Sequence, residues 1–221
     1  MSAIETQRPK AIVVRRRRPL THLVKRIIDL VGASALCIVL APVFLIVSLL
    51  VALDGGPVFY RHRRVGRFGV PFGCLKFRTM ILGADQCLNE YLSDHPHAEH
   101  EWMHEQKLHF DPRVTPIGRF LRRTSLDELP QLVNVLVGDM SLVGPRPVTE
   151  GELRHYGSAT ADYLSVRPGI TGLCQISGRN DVSYDRRVAL DQSYVSTLSL
   201  WRDLVILFKT PAVVLSKRGA R

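Results

Sequence analysis

Leu30–Leu53, LVGASALCIVLAPVFLIVSLLVAL, carries no charged residue and is long enough for a membrane helix of about 20 residues. Arg15, Arg16, Arg17, Arg18, Lys25 and Arg26 precede it, and Arg61, Arg63, Arg64 and Arg67 follow it. Lys and Arg favour the cytoplasmic side of a membrane, so both flanks claim the same face and a plain span satisfies only one of them. A helix that enters the bilayer, turns and leaves on the same side satisfies both. Pro42 sits mid-segment, where the missing N–H and the ring kink a helix. The reading is a re-entrant membrane hairpin broken at Pro42. An ordinary span also tolerates proline, but it would export three of the four cysteines, which show no pairing pattern. A secretory signal fits less well, because the run is too long and no small-residue cleavage site follows.

Outward from this segment, 221 residues suit one domain with an anchor. The expected division is a basic tail over 1–19, a membrane element over 20–53 and a catalytic domain over 54–221. The formal net charge of +10 suits nucleic acid or anionic lipid headgroups. With a membrane element present and no recognition-helix, zinc-finger or aromatic-basic pattern, lipid is the simpler partner and nucleic acid is not expected. Cys37, Cys74, Cys87 and Cys174 lack any CxxC pair, which fits a reducing compartment rather than a disulfide framework.

The fold class reads as α+β, mostly helical, with short β-hairpins and interfacial amphipathic helices. Asp54-Gly55-Gly56-Pro57 signals a turn, and Val58–Tyr60 and Phe72–Phe77 form a candidate hairpin. Leu82–Leu108 is polar and helical in propensity. Short helices are expected around Ile117–Arg123 and Leu126–Val137, a short apolar strand after Arg167–Gly172, and two helices over Val182–Lys217. The last begins at Trp201 and suits either the core or the membrane interface.

Three clusters suit chemistry. In Arg122-Arg123-Thr124-Ser125-Leu126-Asp127-Glu128-Leu129-Pro130-Gln131-Leu132, Ser125 with Glu128 three residues on reads as a capping box. Two arginines beside two acids also suit phosphoryl chemistry, with a carboxylate as nucleophile and a metal plus Arg on the phosphate oxygens. Gly144-Pro145-Arg146-Pro147 holds one guanidinium between two prolines, a fork suited to phosphate. His100-Glu101-Trp102-Met103-His104 matches HExxH, the pattern of a zinc protease. Its neighbours are polar and no third ligand stands out, so solvated surface histidines are the better reading. Lys76, Arg78, Arg167 and Arg179 lie at strand ends or in Gly-rich loops, as phosphate contacts or as surface charge.

Five motifs in order carry a resemblance: Lys25-Arg26 before the kinked segment, Leu75–Met80, Ser125–Leu132, Gly138–Pro147 and Val166–Gly172. Together they resemble the bacterial sugar transferases, monotopic phosphoglycosyl transferases that start glycan assembly on a polyprenyl phosphate. Gln175–Tyr184 is most similar to the exopolysaccharide-initiating members that transfer galactose-1-phosphate. The resemblance implies that Asp127 attacks the β-phosphate of a UDP-sugar, UMP leaves, and polyprenyl phosphate takes the phospho-sugar. It implies Mg²⁺ at Asp127 and Glu128, with Glu128 as a catalytic partner that positions the ion or the acceptor phosphate, and phosphate contacts from Arg122 and Arg146. Lys76, Arg78 and Arg167 fall in its motifs with less defined roles. It further implies a bacterial inner-membrane enzyme with its catalytic domain on the cytoplasmic face, and leaves a homodimer open. Two readings from other classes compete: a membrane-anchored zinc protease on His100 and His104, and a non-enzymatic adaptor in which the Asp-Glu pair only caps a helix.

Overall fold

The computed structural model describes residues 19–105, 108–178 and 182–216. All but the last residue of the expected tail lies outside these, as do Arg179 and the end of the chain. Helix α1 spans Pro19–Val39 and α2 spans Ala41–Ala52, and the two are bent by 63°. The break falls at Leu40, which has left the helical region (φ −92°, ψ 4°), with Pro42 in the first turn of α2. Proline there loses nothing by lacking an N–H, because the first helical donors have no partner anyway. The kink therefore sits two residues before the proline that sets it. By length and composition, no single helix among the described residues crosses a membrane; only this bent pair qualifies. Large apolar side chains crowd its outer surface, with Ile38 76 % and Val39 71 % exposed. Apolar patches of that kind mark a contact surface.

The inner face of α1 packs on helix α6 (Gln131–Val137), with Ala33 wholly buried. Charged residues bind its first turns to the core. Lys25 Nζ donates to Asp203 Oδ2 (2.7 Å) and the Val143 carbonyl (3.0 Å). Arg26 donates to the Val135 (2.7 Å) and Leu136 (3.2 Å) carbonyls near the end of α6, where a cation suits the unsatisfied oxygens. Asp29, 3 % exposed, accepts from the Leu142 amide at 3.0 Å. On α2, Val47 and Val51 pack with Phe77 and Leu121.

The expected hairpin forms from strands β1 (Phe59–Val65) and β2 (Pro71–Phe77), paired antiparallel from Phe59↔Phe77 to Val65↔Pro71. Its tip holds Phe68 at φ 62°. Buried Asn134 of α6 reads β2 as a neighbouring strand would, accepting from the Leu75 amide and donating to the Gly73 carbonyl, both at 2.9 Å. The second sheet is not a hairpin. Strands β3 (Ser141–Val143) and β4 (Gly169–Thr171) pair in parallel, and the residues after Gly172, expected as a strand, form a helical turn over Leu173–Ile176. Gly144 and Gly169 touch so closely that a Cβ on Gly169 would lie 2.1 Å from the Gly144 nitrogen. Pro145 and Pro168 are fully buried beside them.

The Leu82–Leu108 region gives two helices, α3 (Ala84–Asp94) and α4 (Pro96–Glu105). Helix α5 spans Pro116–Thr124. Short helices α7 (Glu150–Leu153), α8 (Thr160–Leu164) and α9 (Leu173–Ile176) lead to α10 (Tyr184–Ser196) and α11 (Leu200–Leu215). Helix α11 contributes to the core through buried Asp203 and Ile206, while Trp201 (73 %) and Phe208 (83 %) stand exposed on its other side.

Candidate active site

Close packing sets the position of the acidic pair. Thr115 caps α5, its side chain accepting from the Gly118 amide at 2.9 Å. Gly118 is required because a Cβ would lie 2.1 Å from the Thr79 carbonyl oxygen. Ser125 ends α5 at φ 57°, a left-handed conformation in which few non-glycine residues rest. It turns the chain into a 3₁₀ turn, Leu126–Glu128. The expected capping box at Ser125 is absent, since its side chain makes no cap hydrogen bond. The left-handed backbone supplies the turn instead. A complete capping box occurs at Thr149 and Glu152.

The turn delivers Asp127 and Glu128 to Lys76 on β2. Lys76 Nζ donates to Glu128 Oε1 at 2.7 Å and lies 3.4 Å from Asp127 Oδ2. Asp127 is 7 % exposed. Burial raises its pKa above the usual carboxylate range and Glu128 adds to the rise, while Lys76 and Arg122 pull the other way. Burial alone would lower Lys76, yet the two carboxylates outweigh it and hold the ammonium above its ordinary value. The result is a poorly solvated carboxyl group with a cation against it. Arg122 approaches from α5, its Nε donating to Thr79 Oγ1 at 3.0 Å. Arg146 enters on the Gly144–Pro147 clamp, which is fixed by bonds from the Gly144 amide to Thr171 O (2.9 Å) and from the Gly169 amide to Pro145 O (2.8 Å).

Lys76, Glu128 and Arg146 border a cleft of about 350 Å³, with Arg64, Gln131 and Gln175 also in its lining. Cys74 also lines it, but burial pushes its thiol up to about 11, so Asp127 has no thiolate competitor. Sequence reasoning named neither Arg64, Gln131 nor Gln175 as site residues. Gln131 and Gln175 lay inside quoted motifs. Arg64 was one of several arginines on β1, and only strand alternation separates it from Arg63. Arg64 Nη1 meets Glu152 Oε2 at 2.7 Å. Behind Arg146, buried Asp191 accepts from Tyr156 Oη at 2.7 Å, and burial raises its pKa to about 6. Gln175 Oε1 and Arg187 Nε are buried with no hydrogen-bond partner.

Two expected phosphate contacts lie elsewhere. Arg78 is spent on the anchor. It pairs with Asp54 through both terminal nitrogens and donates to the Pro57 (2.7 Å), Met80 (3.2 Å) and Val51 (3.2 Å) carbonyls. That contact, with the Gly56 amide, lowers the Asp54 carboxyl to about 2. Arg167 donates from Nε to the Gly138 carbonyl at 2.7 Å and lines a separate cleft with Arg26 and Arg67. The zinc-protease reading gains no support. Among the described residues no three His, Cys, Asp or Glu side chains are grouped to hold a metal. Glu101 accepts from the His109 amide at 2.6 Å instead, and the side chain of His104 lies outside the described residues.

A family model described as bacterial sugar transferase matches residues 20–217. The chain belongs to the bacterial sugar transferase family. As a member it is a transferase enzyme, and similar proteins cover most of it. Exopolysaccharide production protein ExoY of Rhizobium meliloti (strain 1021) is 54 % identical over 202 residues, covering 90 % of this sugar transferase and 89 % of its own length. The UDP-galactose-lipid carrier transferase of Erwinia amylovora is 52 % identical over 200 residues. The undecaprenyl-phosphate galactose phosphotransferase of Salmonella typhimurium is 50 % identical over 200 residues. Each of the last two matches covers 90 % of this chain but 42 % of the relative, so more than half of those proteins lies outside the match.

Proposed function

We propose that this sugar transferase moves galactose-1-phosphate from UDP-galactose to undecaprenyl phosphate, as the first membrane step of exopolysaccharide synthesis. The observation that carries the reading is the buried Asp127 carboxylate held against Lys76, which itself lines a cleft with Arg64 and Arg146. Names of the relatives favour galactose. Those named for galactose or a galactosyl group are 43–52 % identical, and two named for glucose are 40 % identical.

Asp127 Oδ attacks the β-phosphorus, the bond from that phosphorus to the bridging oxygen breaks, and UMP leaves with the electron pair. The sugar phosphate is then an acyl phosphate on Asp127. An oxygen of undecaprenyl phosphate attacks the same phosphorus, the Asp127–phosphorus bond breaks, and the free carboxylate returns with undecaprenyl-diphospho-galactose as product. Removal of Asp127 from water leaves its lone pairs under-solvated, and Lys76 favours its ionised form. Arg122 and Arg146 would neutralise the diphosphate oxygens, where fixed cations act strongly because little has to reorganise. Asp127 and Glu128 form a hard oxygen pair suited to Mg²⁺, which takes one or two carboxylates and completes its shell with water and phosphate. When bound, the ion would supply further neutralisation of the diphosphate.

The bent α1–α2 pair would enter the cytoplasmic leaflet of the inner membrane and leave by the same face. Exposed Trp201, Leu204 and Phe208, spaced along one side of α11, would rest in its surface. The test is transfer of labelled sugar phosphate from UDP-galactose to undecaprenyl phosphate by the wild type and Asp127→Asn. Lipid-linked product and UMP from the wild type alone are expected. A folded variant as active as the wild type would reduce Asp127 to a structural residue.

A further inference from the structure

A second cleft, of about 310 Å³, opens where the first turns of α1 meet the hairpin tip and the segment before β4. Lys25, Arg26, Arg67 and Arg167 line it, with Asp29 as the acid among them. Lys25 already has its counter-charge in Asp203 at 2.7 Å. The three arginines do not. Among the described residues no carboxylate pairs with Arg26, Arg67 or Arg167. Main-chain carbonyls hold them: Arg26 on Val135 and Leu136, Arg67 Nε on Ser165 at 3.1 Å, and Arg167 Nε on Gly138 at 2.7 Å. A carbonyl fixes the direction of a guanidinium without cancelling its charge. Half-buried like charges cost free energy unless an anion joins them. The geometry is that of a pre-set fork array, and planar forks match phosphate oxygens.

The rim indicates what carries the phosphate. Phe68 and Val70 at the hairpin tip, next to Arg67, are 63 % and 62 % exposed. The Arg67 guanidinium lies 4.4 Å from the centre of the Phe68 ring, so cation and apolar rim are adjacent. Cations within and apolar side chains around them suit a headgroup phosphate with acyl chains attached. We propose that Arg26, Arg67 and Arg167 form a binding site for the phosphate of an anionic membrane lipid, separate from the reaction site. This assignment stands independently of the transfer reaction, because its test measures binding alone.

The probe is phosphatidylglycerol with a fluorescent acyl chain, titrated into the full-length protein in neutral detergent. Saturable binding is expected, weakened about 25-fold in Arg67→Gln/Arg167→Gln, at about fivefold per arginine. Arg119→Gln, which removes an exposed charge on α5, should leave affinity unchanged. Equal weakening by Arg119→Gln, or none in the double variant, would overturn the site. If the double variant does not fold, Arg67→Gln alone should weaken binding about fivefold. On the wild type, diacylglycerol with the same chains should bind far more weakly than phosphatidylglycerol, and equal binding would overturn the phosphate assignment. Inorganic phosphate displacing the lipid at equal concentration would overturn the lipid assignment.

Discussion

Two basic clefts lie on one small protein, and their cations are satisfied in opposite ways. In the first, Lys76 sits between Asp127 and Glu128, so its charge is answered within the protein. In the second, Arg26, Arg67 and Arg167 rest on neutral carbonyls, and their charge is left for something outside the protein. Composition shows a net +10 and no more. The partner of each cation, rather than its presence, separates a reaction site from a recognition site.

The largest expected effect breaks the first cleft at its centre. Asp127→Asn keeps the shape but removes the proposed nucleophile, and transfer should fall by roughly 10⁴-fold or more, measured as lipid-linked product per unit time. Lys76→Met should come next, lowering the rate by roughly 10²–10³-fold, the range seen for loss of one pre-set stabilising group. It also carries a pH signature. Lys76 lowers the Asp127 pKa, so without it that pKa rises further and the acid limb of the rate–pH profile should move to higher pH. An unmoved limb would mean that Lys76 does not act on Asp127.

How far these sites were legible depends on where each partner lies in the chain. Asp127, Glu128 and Arg122 are neighbours in sequence, so the acidic–basic cluster was visible, and Lys76 joined it through the motif it sits in. The pairing of Arg78 was not legible because its partner, Asp54, is 24 positions away and only the fold brings them together. Arg167 was drawn toward the reaction site for a similar reason, its carbonyl partner being 29 positions away. The hairpin was readable because Phe59 and Phe77 flank one compact turn region. The β3–β4 pair was not, since parallel strands need a long crossover that leaves no local signal. The Ser125 capping box failed because an identical Ser-x-x-Glu spacing also fits a left-handed turn.

A smaller effect should appear behind Arg146. The folded Asp191 pKa of about 6 exceeds its ordinary 3.8, so the native state binds the proton more tightly and stability falls as pH rises from about 4 to about 6. Asp191→Asn, which can still accept from Tyr156, should remove that slope and gain up to about 2–3 kcal/mol at neutral pH, seen in denaturation at both pH values. An unchanged slope would show that Asp191 titrates normally. The smallest effect is expected at Pro42→Ala. It restores an amide donor at the break, should reduce the 63° bend and should lower transfer modestly through a misplaced cleft rather than a lost group.

The most direct test of the central claim is the intact mass of the protein after mixing with UDP-galactose in the absence of undecaprenyl phosphate. A wild-type chain heavier by one hexose phosphate, discharged on adding the acceptor and absent in Asp127→Asn, is the predicted result. A wild type that makes lipid-linked product yet never gains mass, or an Asp127→Asn variant that gains it, would contradict a carboxylate nucleophile at the Lys76 cleft.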